Sequence, residues 1–437
     1  MTGGAGLLIV DMVLPFGVLI FLGVPIAFSL ALACGFFLAV SGTRIPPVML
    51  ANDLFGSIDS VTLLALPTFI LAGELLNQCK LTDKLIALAL QLVGWIRGGL
   101  AHVTIVAAMF FGGINGSALA DAATISPIMI PGMIRERYPP AIAAAVVASA
   151  SIIGAIIPPS IPLVIIGGQL QITVGGLLIA GVIPGIMIAL ILMSVCWIGA
   201  RWKGYGEIHA FRGLRPLASA ALEAGPATLI PLVIVGGMML GIFSPNEAGT
   251  VAVIYTIVLG KFYYRSLTWT GFCVALRGTV RGTAAALLIV ATAVVFGHII
   301  TFYNVPQSVL VMMTSLTNNP FLLLLLVILL FIIVGMFMDA VANMIILGPL
   351  LLPICVHGLG MHPIQYGVFL ALGLLLGVLH PPIGLVLFVV APVAKVSLER
   401  VSLAVLPFIA LEMIVLVLIG VFPSITLTLP RMAGFVH

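Results

Sequence analysis

Charge is what this sequence has least of. Only 7% of its 437 residues are Asp, Glu, Lys or Arg, against about 25% in a soluble domain. That shortage argues against a soluble enzyme. Basic and acidic residues number 17 and 13, a net charge of +4. They fall in short loops rather than on one face, so no nucleic-acid footprint is present. The five cysteines, Cys34, Cys79, Cys196, Cys273 and Cys355, are far apart in apolar surroundings. They form neither a disulfide framework nor a metal-ligand spacing, and read as packing residues. GxxxxGKS/T, HExxH and GxSxG are all missing. A transporter of this composition therefore draws on an ion gradient rather than its own ATP hydrolysis, and no catalytic constellation supports an intramembrane enzyme. The N-terminal Met-Thr-Gly-Gly has no basic n-region and reads as the start of a first membrane helix, not a cleaved signal.

What the chain has is apolar length. Hydrophobic residues make up 62% of it, and its mean hydropathy is +1.34. At roughly 20 apolar residues per span, that suffices for about ten or more crossings of a lipid bilayer. Apolar stretches cover 5–22, 24–41, 60–78, 82–96, 99–133, 141–170, 175–200, 226–242, 246–264, 282–302, 319–355, 365–394 and 402–421. The stretches 99–133, 141–170, 319–355 and 365–394 are interrupted. Gly23-Val24-Pro25 is a natural helix break between the first two. The long polar segment 201–224 carries Arg201, Lys203, Arg212 and Arg215 against Glu207 and Glu223. The positive-inside rule makes it a cytoplasmic linker, dividing an N-terminal half, 1–200, from a C-terminal half, 225–437.

The halves resemble each other. Gly113-Ile-Asn-Gly-Ser117-Ala-Leu-Ala-Asp121 followed by Pro127 and Pro131 aligns with Gly335-Met-Phe-Met-Asp339-Ala-Val-Ala-Asn343 followed by Pro349 and Pro353. Further on, Gly154-Ala-Ile-Ile-Pro158-Pro159-Ser160 matches Gly377-Val-Leu-His-Pro381-Pro382-Ile383, with one residue inserted. Charge gives the relative orientation. Arg135-Glu136-Arg137 follows the first unit, whereas Cys355 to Tyr366 has no Lys or Arg. Conversely, Gly167 to Gly176 is uncharged, while its counterpart holds Lys395, Glu399 and Arg400. Basic residues swap sides, as an inverted repeat requires. Stretch 99–133 has basic residues at both ends, Arg97 and Arg135, and breaks at Gly112-Gly-Ile-Asn115-Gly116-Ser117. Two complete short helices satisfy this, and so does a re-entrant hairpin. The polar, glycine-rich, uncharged tip favours the hairpin, because non-helical backbone at membrane depth is tolerated where it lines a cavity.

The chemistry lies in the broken helices. Each Pro-Pro pair removes two amide donors inside an apolar stretch and frees carbonyl oxygens. In hydrocarbon these cost several kcal/mol each unless something satisfies them. A hard cation such as Na⁺ suits them, and the tip opposite adds further oxygens. Helix N-termini exposed at such breaks attract an anion. Matched breaks therefore point to Na⁺ at each and an anionic substrate between them near the midplane. For a single pair the plainer reading, a kink alone, would stand. Two pairs at matched positions favour the site. Asn115, Ser117, Ser160, Asn343 and Gly384 are the candidates to meet that substrate.

Single residues carry competing readings. Asp339, ionisable in an apolar stretch, serves a cation site or tip, or caps the returning helix. Asp121, one turn after Ser117, suits a helix N-terminus structurally. Ser244-Pro245-Asn246-Glu247 is a capping box. His380 offers either a local hydrogen bond or proton coupling. Glu74 and Glu412 take no assigned role. The sequon Asn115-Gly-Ser117 is irrelevant inside a membrane hairpin. Gly373-Leu-Leu-Leu-Gly377 and Gly112-Gly-Ile-Asn-Gly116 read as close-packing motifs.

These residues are familiar together. Leu64-Ala-Leu-Pro67-Thr-Phe-Ile-Leu-Ala-Gly73-Glu74-Leu, Gly116-Ser-Ala-Leu-Ala-Asp-Ala-Ala-Thr124, Ile156-Ile-Pro-Pro-Ser-Ile-Pro162, Ser244-Pro-Asn-Glu-Ala248, Gly335-Met-Phe-Met-Asp339 and Pro381-Pro-Ile-Gly384-Leu-Val-Leu-Phe388 run in the order found in the large membrane subunit of TRAP transporters, the tripartite ATP-independent periplasmic systems. The chain resembles that family over nearly its whole length.

The resemblance implies an all-α polytopic fold of the ion-transporter superfamily type. It implies two inverted repeats, a scaffold and a mobile domain with elevator motion, in a bacterial inner membrane. Each repeat would hold a re-entrant hairpin (about 99–133 and 319–355) and a broken helix (about 141–170 and 365–394). It implies Na⁺-driven uptake of a carboxylate, an organic acid or acidic sugar, delivered by a periplasmic substrate-binding protein. A separate small membrane subunit of four helices would brace the scaffold. Carried over, the first Na⁺ site would use Gly116, Ser117, Gly154, Pro158 and Pro159. The second would use Asp339, Gly377, His380 and Pro381. Two departures bear on the second site: the family usually has Thr where His380 stands and often Asn at Gly373. The first removes a hydroxyl ligand. The alternative within the superfamily is a stand-alone anion or dicarboxylate transporter coupled to Na⁺ or, through His380, to H⁺.

Overall fold

Proline and glycine punctuate an otherwise continuous supply of helix. The computed structural model describes residues 9–42, 45–79, 81–207, 213–317 and 319–436, all helix or connection with no strand among them. The N-terminal Met-Thr-Gly-Gly lies outside the described residues. In the first half, α1 (Leu14–Phe21) and α2 (Ile26–Val40) part at Gly23-Val24-Pro25, as the sequence leads one to expect. Then follow α3 (Pro47–Ile58), α4 (Ala65–Gln78) and α5 (Thr82–Val93). The first hairpin is α6 (Gly99–Asn115) and α7 (Ala118–Arg135), and the first broken helix is α8 (Pro140–Ile156) and α9 (Ile161–Leu170). Short α10 (Val174–Ala180) leads into α11 (Val182–Lys203).

The second half runs α12 (Leu214–Met239), α13 (Pro245–Val258), α14 (Trp269–Phe302) and α15 (Val305–Leu316). Its hairpin is α16 (Pro320–Phe337) and α17 (Ala340–Leu352), its broken helix α18 (Pro363–Leu379) and α19 (Leu385–Ala394), and α20 (Leu398–Val421) and α21 (Ser424–Met432) close the chain. α11 runs on to Lys203 and α12 begins at Leu214, so the polar segment 201–224 includes helical turns at both ends. These carry Arg201, Lys203, Arg215 and Glu223.

Both Pro-Pro pairs end a helix for the same local reason. Ile157 (ψ 134°) and His380 (ψ 130°) stand before a proline and are pushed out of the helical region. Both Pro-Pro peptide bonds are cis. At the first break the axis bends by 44°. Among the described residues six helices are long and apolar enough to cross a bilayer, seven with the bent pair. That is fewer than the apolar length allows, because proline and glycine cut several stretches into helices of 10–17 residues.

The first hairpin is antiparallel. The Thr104 hydroxyl on α6 reaches Met133 Sδ on α7 at 3.8 Å, and Leu100 packs near Gly132. Gly116, left-handed at φ 58°, and extended Ser117 make the reversal. At ~1.5 Å per residue each arm is about 25 Å long. The tip stops against the first break, since a Cβ on Gly116 would lie 3.0 Å from Pro159 O and 2.9 Å from Ile161 N. The reversal stands level with the break in the neighbouring helix.

Each half of the chain packs into the other. Both arms of the first hairpin lie on α8, and both arms of the second lie on α18. The outer part of each broken helix then packs on the opposite hairpin: α9 on α17, and α19 on α7. Around this centre, α4 packs on α13 and α14, and α14 on α2 and α3. A second apolar cluster joins α1, α2 and α14 through Phe16, Phe37 and Phe296 to Met338 and Ile345 of the second hairpin. The outer surface remains apolar, with Phe21, Phe55 and Val280 largely exposed, as expected for a face toward lipid.

Candidate substrate and ion site

The two hairpin tips meet at one cavity of about 280 Å³. Three helices begin there. Ala118, Leu119 and Ala120 open α7, Ile161 and Pro162 open α9, and Ala340 and Val341 open α17, and all seven line the wall. α4 closes the other side with Ile70, Gly73, Glu74 and Asn77, and α14 contributes Gly282 and Ala286. Among the described residues that line it there is no Lys, Arg or His. A small anion in this space would meet the positive ends of three helix dipoles and no basic side chain.

The three helix starts are not equivalent. Ser160 caps α9: its hydroxyl accepts from Leu163 N at 3.3 Å and donates to Ala155 O. Asp339 caps α17, accepting from Val341 N at 2.9 Å. Ser117, at the start of α7, makes no side-chain cap bond. The first-turn amides of α7 and the Ser117 hydroxyl are therefore the groups best placed to receive a ligand.

Of the expected site residues, Gly116, Ser117 and Asp339 line this cavity. Ser160 sits buried just behind Ile161 as a cap. Asn343 is fully buried but ties down the end of α16, donating to Val334 O at 3.3 Å and Met338 O at 3.2 Å. It borders a different, apolar cavity of about 380 Å³ between α1, α14, α15 and α17. Gly384 starts α19 at φ 51°, against Leu379 O, and is not among the cavity residues. The Asn115 side chain lies outside the described residues.

The first break fits a hard cation. Gly154 O would pair with the amide four residues on, but that residue is Pro158. Pro159 O faces the Gly116 tip. The Asp121 carboxylate packs directly on Gly154, beside Gly112. Asp121 was expected to act structurally at its own helix start. Its position at the crossing of hairpin and broken helix is information that spacing alone does not carry.

The second break is more occupied. His380 N donates to Gly377 O at 3.0 Å. The His380 ring bonds Pro381 O through Nδ1 at 2.7 Å, which makes Nδ1 the donor. That is the local hydrogen-bonding role of the two weighed for this residue. Two carbonyls expected to face an ion are thus engaged by the residue that replaces the family's Thr, leaving their second lone pairs. Glu74, left without a role above, joins Asn77 and Pro162 in the cavity wall. For Glu74 there was a signal: it is ionisable and sits in an apolar stretch. Among the described residues no group of three or more His, Cys, Asp or Glu gathers, so a cation here would draw on backbone and hydroxyl oxygens beside any single carboxylate such as Asp339.

Comparison with known proteins agrees with this architecture. The family model described as the tripartite ATP-independent periplasmic transporter, DctM component, matches residues 13–425. The sialic acid TRAP transporter large permease SiaM of Vibrio cholerae is 37% identical over 95% of this chain and 96% of its own length. The C4-dicarboxylate large permease DctM of Pseudomonas aeruginosa is 35% identical over 88% and 90%. The 2,3-diketo-L-gulonate large permease YiaN of Escherichia coli is 33% identical over 92% and 94%. Among solved structures, the YdaH transporter of Alcanivorax borkumensis superposes with a TM-score of 0.58 at 16% identity, covering 86% of this chain and 87% of that one. MtrF of Neisseria gonorrhoeae, described as an antimetabolite efflux pump, gives 0.57 at 14% identity, over 85% and 82%. These two likenesses concern the fold alone. The relatives are permeases rather than enzymes, and the chain belongs to the large-permease (DctM) family of tripartite ATP-independent periplasmic transporters.

Proposed function

We propose that this chain is the permease of a TRAP system in a bacterial inner membrane, driving Na⁺-dependent uptake of a carboxylate. The observation that carries the reading is the cavity where three helix N-termini converge without a basic side chain. Such a site favours a compact anion while leaving its selectivity loose. That looseness suits a family whose members are named for sialic acid, C4-dicarboxylates and isethionate. Specificity then resides in a periplasmic binding protein that delivers the substrate. A separate small membrane subunit of four helices braces the outer helices.

Na⁺ would bind first between the Gly116–Ser117 tip and the oxygens of Gly154, Pro158 and Pro159. A second ion would sit near Asp339, with Gly377, His380 and Pro381 supplying what their hydrogen bonds leave free. Each ion tightens a hairpin tip against its broken helix and so completes the anion site between them. The two hairpins and broken helices, packed into one another, would move as a body against α4, α13 and α14 in an elevator motion.

The test is uptake into proteoliposomes holding this chain with its small subunit and binding protein. Labelled succinate, N-acetylneuraminate, isethionate and 2,3-diketo-L-gulonate are offered under an inward Na⁺ gradient, and then under K⁺. Accumulation of one of them only with Na⁺ and only with the binding protein is expected. Accumulation that ignores either would contradict the reading.

A further inference from the structure

The wall of the cavity holds a charge that the anion site has no use for. Glu74 lines it from α4, opposite Ser117 and Asp339. Its carboxylate fills the space left by Gly278 of α14, where a Cβ would come within 2.9 Å of Oε1 and 3.1 Å of Oε2. The ion pairs among the described residues join Lys84 to Glu223 and His298 to Asp53, so Glu74 has no cationic partner there.

Its position along the helix is informative. α4 runs beside α14, with Gln78 near Gly271, Glu74 near Gly278 and Ile70 near Gly282. The residues just before α14 are tied to the basic linker region, the Tyr264 hydroxyl donating to Glu223 O at 2.6 Å. Glu74 therefore lies in the half of α4 nearer the side that bears the basic linker, the cytoplasmic side by charge.

We propose that Glu74 is a release residue for the transported anion. Resting on the reading of the cavity as an anion site, the proposal gives the fixed carboxylate on α4 one task. It repels the anion held at the tips while the tips lie beside α4. Substrate affinity is then lowered in this arrangement alone, without altering any group that binds the substrate. When the tips move away from α4 the repulsion fades, and the same helix ends hold the anion more tightly. Across a cavity of this size, at ~10 Å and an effective dielectric of ~20, one unit charge changes affinity by roughly tenfold.

The purified chain with its small membrane subunit, in detergent, provides the test. Thermal unfolding is titrated with succinate, N-acetylneuraminate, isethionate and 2,3-diketo-L-gulonate, in NaCl and in choline chloride. Wild type is compared with Glu74→Gln, Glu74→Ala and Glu74→Asp. At least one anion should raise the Tm of wild type in NaCl. Its half-saturating concentration should fall roughly tenfold in the two neutral variants and stay at the wild-type value in Glu74→Asp. With two neutral variants, poor folding of one leaves the comparison to the other. Unchanged or weaker binding in the neutral variants overturns the role of Glu74 and leaves the anion site standing. If no anion stabilises wild type in either salt, the reading of the cavity fails, and the release role falls with it.

Discussion

Gly112 of α6 and Gly154 of α8 lie backbone against backbone where the first hairpin crosses the first broken helix. Gly335 of α16 and Gly377 of α18 repeat that contact in the second half. A methyl group at Gly154 or Gly377 would meet the facing backbone, and at Gly154 also the Asp121 carboxylate. Neither neighbour can withdraw without moving a helix. Gly154→Ala and Gly377→Ala should each destabilise the protein by about 1–3 kcal/mol, as overpacking does. Gly132→Ala is the control, since its Cβ would meet only Leu100 Cδ1 at 3.5 Å. It should leave stability unchanged or raise it, because a helical Gly→Ala change lowers the entropy of the unfolded chain. Thermal unfolding in detergent decides. Equal effects of all three substitutions would mean that the crossings are not tight.

Asp339 has two uses that substitution can separate. It caps α17 through Val341 N, and its carboxylate faces the cavity. Asp339→Ala removes both, at a capping cost of about 1 kcal/mol. Asp339→Asn keeps an acceptor for the cap and removes the charge. Both variants should insert normally and lose at least about tenfold in Na⁺-dependent uptake, the scale of ~1.4 kcal/mol of lost ion binding. Ser117→Ala, which touches no cap bond, should impair uptake likewise. Normal uptake and normal Na⁺ dependence in Asp339→Asn would reduce Asp339 to a cap.

Much of this was legible because proline and glycine act locally. The breaks at 158–159 and 381–382, the tips at 116–117 and 338–339, and the Ser244–Glu247 capping box, with Ser244 N donating to Glu247 Oε2 at 2.7 Å, all stand where the motifs put them. The two close-packing motifs also stand at helix crossings, Gly112 on Gly154 and Gly377 on Gly335. Function at a distance was not legible. Asn343 and Asp121 occupy matched positions, but one bonds the end of its own hairpin while the other reaches across to Gly154. Nor does any local pattern say that α4, remote in the chain from the first tip, closes the cavity with Glu74.

The start of α18 should respond to acid. His362 caps it, with Nδ1 accepting from Ile364 N at 3.2 Å, while Gln365 Oε1 accepts from His362 N at 3.3 Å. That geometry needs an unprotonated Nδ1. Burial first, and then the positive charge of Arg431, hold the imidazole below its ordinary range. The unfolded chain therefore takes up its proton first as pH falls, near the ordinary value of about 6.5. The contribution of His362 to stability is complete above that pH and is lost on acidification toward the folded-state value. His362→Asn keeps an acceptor at the cap and cannot titrate. Thermal unfolding measured from pH 7.5 down to 5.5 should show a steeper loss for wild type than for His362→Asn, with the two similar at the upper end. Parallel curves would mean that the imidazole bears no part of the acid sensitivity and that the cap persists with the ring protonated.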